Sequence, residues 1–290
     1  MSLPRLGIIG VGLIGGSIAC GARAAGGVGG VAGVDADAAN LREALDSGVV
    51  DFAYDDIAAG AADCDMVVIA TPVGAIEAVL RALRPVWSDR AVYTDVGSTK
   101  GNVIAAAERV FGQVPSNFVP GHPIAGAERS GVGAARPDLY AGKRVILTPL
   151  PETRPAAVDA VETLWRCLGA RVSHMAPDHH DEVLAATSHL PHVLAFALTA
   201  MLGRKDEQDE IFQYAAGGFR DFTRIASSDP KMWRDICLAN GGEILALLRR
   251  FREQLRAVES LIEQRSADEL FALFTEARDA RQRFLDQLEK

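Results

Sequence analysis

From Leu6 to about residue 175, short apolar runs rich in Val and Ile alternate with alanine-rich stretches of helical character. The runs predict strands at 6–10, 31–35, 66–70, 91–96, 117–121, 144–150 and 170–175, with helices between most of them. Their apolar residues are nearly continuous rather than alternating, as expected when helices cover both faces of a parallel sheet. Beyond about residue 180 the strand-like runs disappear. Apolar residues now recur at helical spacing, as in "EILALLRRFREQLRAVESLIEQ" and "ADELFALFTEARDARQRFLDQL". Asp229 before Pro230 reads as an N-cap followed by proline at the first helical position, and Ser266 precedes Asp268 and Glu269 in the same way. The pattern therefore predicts an α/β domain with a mostly parallel sheet over residues 1–175, then an all-helical domain over 176–290.

Composition narrows the classes. The chain has 290 residues, 49% of them hydrophobic, enough for a sizeable core in each of two domains. With 38 acidic residues against 30 Lys and Arg, the formal charge is −8, which argues against general affinity for nucleic acid or an anionic membrane. No long unbroken apolar run predicts a membrane span, and the first strand begins too early to leave room for a signal peptide. Cys20, Cys64, Cys167 and Cys237 are far apart and form no CxxC pair, which suits a reducing cytoplasm. Arg249, Arg250, Arg252 and Arg256 read as a solvated helix face. The long leucine- and phenylalanine-bearing helices of the second domain predict a homodimer that buries their apolar stripes.

The first predicted strand runs into "GVGLIGGS", in which Gly10, Gly12 and Gly15 have the G-x-G-x-x-G spacing. In this context Gly10 permits a tight turn, Gly12 lets a pyrophosphate approach the backbone, and Gly15 allows close packing of helix on strand. Leu13 and Ile14 complete the turn at the helix N-terminus, where the phosphates of a dinucleotide are stabilised. The second strand ends in Asp35, placed to accept hydrogen bonds from a ribose diol, and no arginine follows to receive a 2′-phosphate. The first domain is thus Rossmann-like, with NAD favoured over NADP. Thr71 and Pro72, after the strand "MVVIA", are expected to line the cofactor.

Two further strand ends carry chemistry. "DVGSTKG" (95–101) places Ser98 and Lys100 at the carboxyl edge of the sheet, and "VPGHPIAGAERSGVG" (119–133) brings His122 to the same edge. A His-Pro pair among glycines is incompatible with a helix, so His122 is expected on a loop. At the entrance to the helical domain, "HDEVLAATSHLPH" carries His180, His189 and His192; Pro191 disturbs helical spacing and no ligand set is completed, so no metal is expected. "GGFRDFTRIASSDPKMWRDI" adds Arg220, Arg224 and Arg234, residues suited to gripping a carboxylate.

Taken in order, "GVGLIGGS", "DVGSTKG", "GHPIAGAERSG", "HDEVLAATSHLPH" and "GGFRDFTRIASSDPKMWRDI" resemble the prephenate/arogenate dehydrogenase family of tyrosine biosynthesis over nearly the whole chain. The resemblance implies oxidative decarboxylation: hydride passes to NAD from the ring carbon bearing the hydroxyl, and loss of the ring carboxylate as CO2 leaves a phenol. It assigns His122 as the base for the 4-hydroxyl proton and Ser98 as its hydrogen-bonding companion. Arg224 matches the arginine that binds substrate carboxylate and His192 the substrate-contacting histidine, with His180, Glu128 and Trp233 completing the pocket. The small-molecule substrate is prephenate or arogenate. The chain ends directly after its last predicted helix, so no added regulatory or mutase domain is expected and any tyrosine feedback acts at the active site or dimer interface. The competing readings are a β-hydroxyacid dehydrogenase, whose helical lysine has no counterpart in "ATSHLPHVLAFAL", and a noncatalytic dinucleotide sensor.

Overall fold

The computed structural model describes residues 3–126, 129–205 and 208–288. Six strands, β1 (Leu6–Ile9), β2 (Val31–Val34), β3 (Phe52–Tyr54), β4 (Met66–Ile69), β5 (Val92–Asp95) and β6 (Phe118–Val119), form one parallel sheet in the order β3-β2-β1-β4-β5-β6. This is the doubly wound order in which the chain reverses direction of winding between β1 and β4, opening a crevice at their carboxyl ends. Strand β3 was not foreseen, because its residues are exposed or half-buried and give no apolar run.

The helices α1 (Leu13–Ala24), α2 (Ala38–Asp46), α3 (Ile57–Ala61), α4 (Ile76–Leu83), α5 (Gly101–Phe111) and α6 (Pro155–Cys167) flank the sheet. Alternation along β4 divides the core. Met66 and Val68 join Ile18, Leu41, Val161 and Trp165 on one face, whereas Val67 and Ile69 join Leu80, Val103 and Ala107 on the other. Buried aliphatics on both faces are what the continuous apolar runs require.

The expected strand at 117–121 breaks at Pro120, and a second sheet begins. Strand β7 (Gly121–Pro123) pairs antiparallel with β8 (Arg144–Leu147), which pairs parallel with β9 (Arg171–His174). His122 therefore lies in a strand, opposite Ile146, and not on a loop. The extended geometry imposed by the following proline is compatible with a strand as well as a loop. Pro123 is tolerated because Ile124 N–H bonds Arg144 O and Thr148 N–H bonds Pro120 O, so residue 123 falls where the ladder needs no donor from it.

After β9 the chain is helical: α7 (Pro177–Leu184), α8 (Leu190–Leu202), α9 (Gln208–Gln213), α10 (Gly217–Thr223), α11 (Pro230–Ala239), α12 (Gly241–Glu263) and α13 (Ala267–Leu288). Asp229 caps α11 as expected, accepting from the N–H groups of Lys231 and Met232. A π-turn over Ala185–His189 joins α7 to α8, with Pro191 in the first turn of α8. The chain stays helical through Pro191, and the expected disturbance takes the form of the π-turn just before it.

The run Pro177–Leu202 is long and apolar enough, by length and composition, to cross a bilayer. That qualifies the sequence expectation of no such segment. It nevertheless carries His180 and Asp181, buried and hydrogen-bonded to β7 and to the start of α5. The chain divides into two compact units, Met1–Gly241 and Gly242–Lys290. The second comprises nearly all of α12 with α13, and its apolar residues Leu255, Ile262, Phe271 and Phe274 are exposed.

Candidate active site at the carboxyl edge of the sheet

The glycine loop has the geometry its spacing predicts. Gly10 has φ +95°, and a Cβ there would lie 2.6 Å from Ala70 O; a Cβ on Gly15 would lie 2.0 Å from Gly10 O. Both positions exclude side chains because two backbone segments cross. A Cβ on Gly12 would meet no protein atom within 4 Å, so its side of the loop is open to a ligand. Gly12 also begins α1 without a side-chain cap, and the first turn bears no acidic residue, which leaves N–H groups and positive helix potential for an anion. Leu13 is buried in the core, and Ile14 O accepts from Tyr140 Oη at 2.7 Å.

Asp35 stands just past β2. Its carboxylate accepts from Val11 N–H at 2.8 Å and from Asn40 Nδ2 at 3.1 Å, which fastens the glycine loop to the second strand. At the end of β4, Thr71 Oγ1 is buried with no hydrogen-bond partner, and Pro72 is exposed beside it. An orphaned hydroxyl on the segment that packs against Gly10, beside an open Gly12, fits a bound dinucleotide, since buried polar groups are ordinarily satisfied.

The neighbouring strand end is built from buried charges. Lys100 is fully buried, ion-paired with Asp95, and its Nζ donates to Gly121 O at 2.7 Å; Asp95 Oδ1 accepts from Gly121 N–H at 3.2 Å. Burial lowers the Lys100 pKa, while Asp95 opposes that shift. The pair fixes β7, and with it His122, to the Ser98-bearing loop between β5 and α5. Ser98 itself is half-buried.

His122 Nδ1 lies 2.9 Å from His180 Nε2, and His180 Nδ1 lies 2.8 Å from Asp181 Oδ1. The same carboxylate accepts from the N–H groups of Lys100 and Gly101, both at 2.8 Å, where α5 begins. Burial, then the charges of His180, Lys100 and His189, push the His122 pKa well below the ordinary histidine value. Burial alone would raise Asp181, but hydrogen bonds from His180, Gly101 and Lys100 hold it below its usual range. The sequence expectation places His180 on substrate; its side chain is fully buried, with both ring nitrogens against protein groups.

The helices bring His192 and Trp233 together. His192 stacks on Trp233, with ring centroids 3.7 Å apart and planes inclined by 18°. His192 Nδ1 donates to Ser188 O at 2.8 Å, which leaves Nε2 as the acceptor of the neutral ring. Burial lowers its pKa, and the Arg224 guanidinium adds to that shift, so Arg224 bears on this histidine. Trp233 packs with Val73 and Ile76 beside β4, and its Nε1 is buried without a partner. By contrast, Arg234 and Arg220 are exposed and pair with their neighbours Asp235 and Asp221. Glu128 lies outside the described residues.

Lys100 was placed at this edge by the sequence, whereas Asp95, Asp181 and Asn240 were not singled out. Asn240 donates from Nδ2 to Asp181 O at 2.8 Å and to His189 Nδ1 at 3.2 Å. Burial pushes His189 down to about 4. Asp181 carried one local signal, its place beside His180; Asn240 carried none. Among the described residues, no group of three or more His, Cys, Asp or Glu is arranged to hold a metal.

The family model for the prephenate dehydrogenase nucleotide-binding domain matches residues 18–174, and that for the prephenate dehydrogenase dimerization domain matches residues 176–276. The chain belongs to the prephenate dehydrogenase family. It is 37% identical over 278 residues to a prephenate dehydrogenase of Bacillus subtilis, covering 94% of this chain and 74% of that one. A cyclohexadienyl dehydrogenase of Zymomonas mobilis is 36% identical over 234 residues, covering 80% and 79%. The solved prephenate dehydrogenase of Aquifex aeolicus, in complex with hydroxyphenyl propionate and NAD+, is 37% identical and superposes with a TM-score of 0.90 over 98% of this chain and 99% of that one. The chain is accordingly a dehydrogenase with a Rossmann-like first domain. The first model begins at residue 18, just past the glycine loop, whose open Gly12 face is an observation of geometry alone.

Proposed function

We propose that this chain oxidatively decarboxylates prephenate to 4-hydroxyphenylpyruvate, arogenate to tyrosine, or both, with NAD. The observation that carries the reading is a buried histidine, His122, held beside the carboxyl end of β5 and in contact with His180, in a chain of this family. A neutral imidazole at cytoplasmic pH is a competent base.

Gly10, Gly12, Leu13, Ile14, Gly15, Asp35, Thr71 and Pro72 hold the dinucleotide. When bound, its nicotinamide ring is the hydride acceptor. His122 takes the 4-hydroxyl proton as the ring carbon becomes a ketone, and Ser98 orients that hydroxyl. The C–C pair released with CO2 flows into the ring, and the resulting phenolate oxygen recovers its proton from His122. Aromatisation drives the loss of CO2, so the protein's tasks are alignment and one proton transfer.

Arg224 grips a substrate carboxylate, His192 contacts substrate from its seat on Trp233, and Trp233 Nε1 offers an unused donor. Glu128 is proposed to orient a cationic neighbour. NAD is preferred over NADP because the Asp35 carboxylate repels a 2′-phosphate and Asp37 follows at the start of α2.

Residues 1–175 form the cofactor domain and 176–290 the substrate-binding and dimerisation domain in this reading. The partner is a second copy: the exposed Leu255, Ile262, Phe271 and Phe274 offer the surface, and the matching family model describes a dimerization domain. Four free cysteines suit a cytoplasmic protein. The deciding experiment follows NADH formation at 340 nm with prephenate and with arogenate, in NAD and NADP. Turnover with NAD supports the reading and ranks the substrates; NAD binding without turnover of either would return the chain to the sensor class.

A further inference from the structure

We propose that Asp181 and His180 are positioning residues that set the tautomer of His122 and share the proton it accepts. The inference rests on His122 being the base, and it gives His180 a place behind that base instead of on the substrate.

One member of the cluster has its protonation dictated by fixed donors. Asp181 accepts two backbone N–H groups, from Lys100 and Gly101, and these have no lone pair to offer in return. Its position at the start of α5 adds favourable helix potential. Asp181 is therefore a carboxylate, and the His180 nitrogen facing it, Nδ1, must carry the proton. Neutral His180 then has a lone pair on Nε2, which lies 2.9 Å from His122 Nδ1. That contact is a hydrogen bond only if His122 donates, so His122 is protonated on Nδ1. Its remaining nitrogen, Nε2, is left with the lone pair a base requires. A buried carboxylate orienting an imidazole in this way is a general device for catalytic histidines. Here the instruction passes through a second imidazole.

The arrangement also suits a proton that must come back. When Nε2 accepts the substrate proton, His122 becomes an imidazolium surrounded by His180, Lys100 and His189, none of which offers a negative charge. Movement of the Nδ1 proton onto His180 Nε2 transfers the positive charge to the ring that touches Asp181. His122 is neutral again, now protonated on Nε2. Reversal of the shift returns the charge to His122, and the Nε2 proton returns to the phenolate oxygen. No bond order changes outside the two rings, and the pair needs no exchange with solvent during turnover.

The test is made on the intact enzyme with NAD and prephenate or arogenate. Nitrogen-15 histidine spectra of the wild type should show His122 protonated on Nδ1; a wild-type His122 protonated on Nε2 would overturn the proposal outright. His180→Leu, which can accept nothing, should lower kcat about 100-fold with KM within about twofold. His180→Gln, whose amide oxygen can accept from Nδ1–H, should recover about 10-fold of that loss. A raised KM at unchanged kcat would put His180 on the substrate and reject the relay. NAD binding checks the fold of each variant, and if His180→Leu fails it, the His180→Gln kinetics and wild-type spectra still decide. A wild-type enzyme inactive with both substrates would instead reject the proposed function, while the His122 spectrum would continue to judge the tautomer.

Discussion

The nucleotide crevice and the histidine cluster meet at one sheet edge but are built on different principles. The crevice is made of backbone: three glycines within six residues, a bare helix end, and one carboxylate twenty residues on. The cluster is made of side chains gathered from β5, β7, α7, the π-turn and the residue that caps the end of α11, so that His122 and His180 touch across 58 residues and Asn240 reaches Asp181 across 59. A backbone site is local and tolerates most neighbours. A site of buried titratable groups holds only while every member keeps its partner, because each unpaired polar group in low dielectric is costly.

The sharpest way to test that difference is to remove the proposed base. His122→Asn should lower kcat by about 10²- to 10⁴-fold with KM little changed, because the loss falls on the proton transfer and not on binding. Steady-state kinetics alongside NAD binding would check it. Unchanged turnover would remove His122 from the chemistry.

Acid should strain the cluster next, and spare the crevice. His189 is held down to about 4, against an ordinary value of about 6.5 when unfolded. Between those values the unfolded chain binds a proton that the folded chain does not. Stability should therefore be full above about pH 6.5 and fall as pH drops toward 4, by about 3 kcal/mol from this group alone. His122, depressed for the same reason, acts in the same direction. Urea midpoints across this range would read the slope, and His189→Gln should flatten it; a pH-independent midpoint would contradict the burial argument.

Within the crevice, two glycines separate folding from binding. Gly15→Ala forces a methyl to 2.0 Å from Gly10 O and should destabilise the protein by about 1–3 kcal/mol, because helix and strand must move apart. Gly12→Ala meets no protein atom within 4 Å, so its melting temperature should hold while NAD affinity falls about 10-fold. Equal loss of stability in both would refute an open Gly12 face.

These contrasts explain what the sequence could and could not disclose. The tight packing at Gly10 and Gly15 and the Asp229 cap were legible because each acts through residues at a fixed spacing. The histidines were legible as candidates, since His-Pro and the His-rich helix start are unusual locally. Their grouping was not. Nothing in the spacing of Asp181 says that its carboxylate will cap α5, 80 residues upstream, and Asn240 looks like an ordinary helix end. The strand holding His122 was missed for a related reason: a three-residue strand closed by proline has no periodicity to display, and only its partner β8 reveals it.

The smallest expected effect concerns Asp35, where backbone and side-chain logic overlap. Its carboxylate is proposed to repel a 2′-phosphate, yet it also accepts Val11 N–H at 2.8 Å and so holds the glycine loop. Asp35→Asn removes the charge while keeping an oxygen for Val11. If charge is what selects the nucleotide, the ratio of kcat/KM for NAD over NADP should fall about 10-fold, chiefly through a gain with NADP. If the loop contact is what matters, both nucleotides should bind as before, because that contact survives in the variant. Asp35→Ala separates the two further: it abolishes the acceptor, so NAD affinity should fall with it, and a variant that still binds NAD at wild-type strength would show that the glycine cradle holds its shape without this carboxylate.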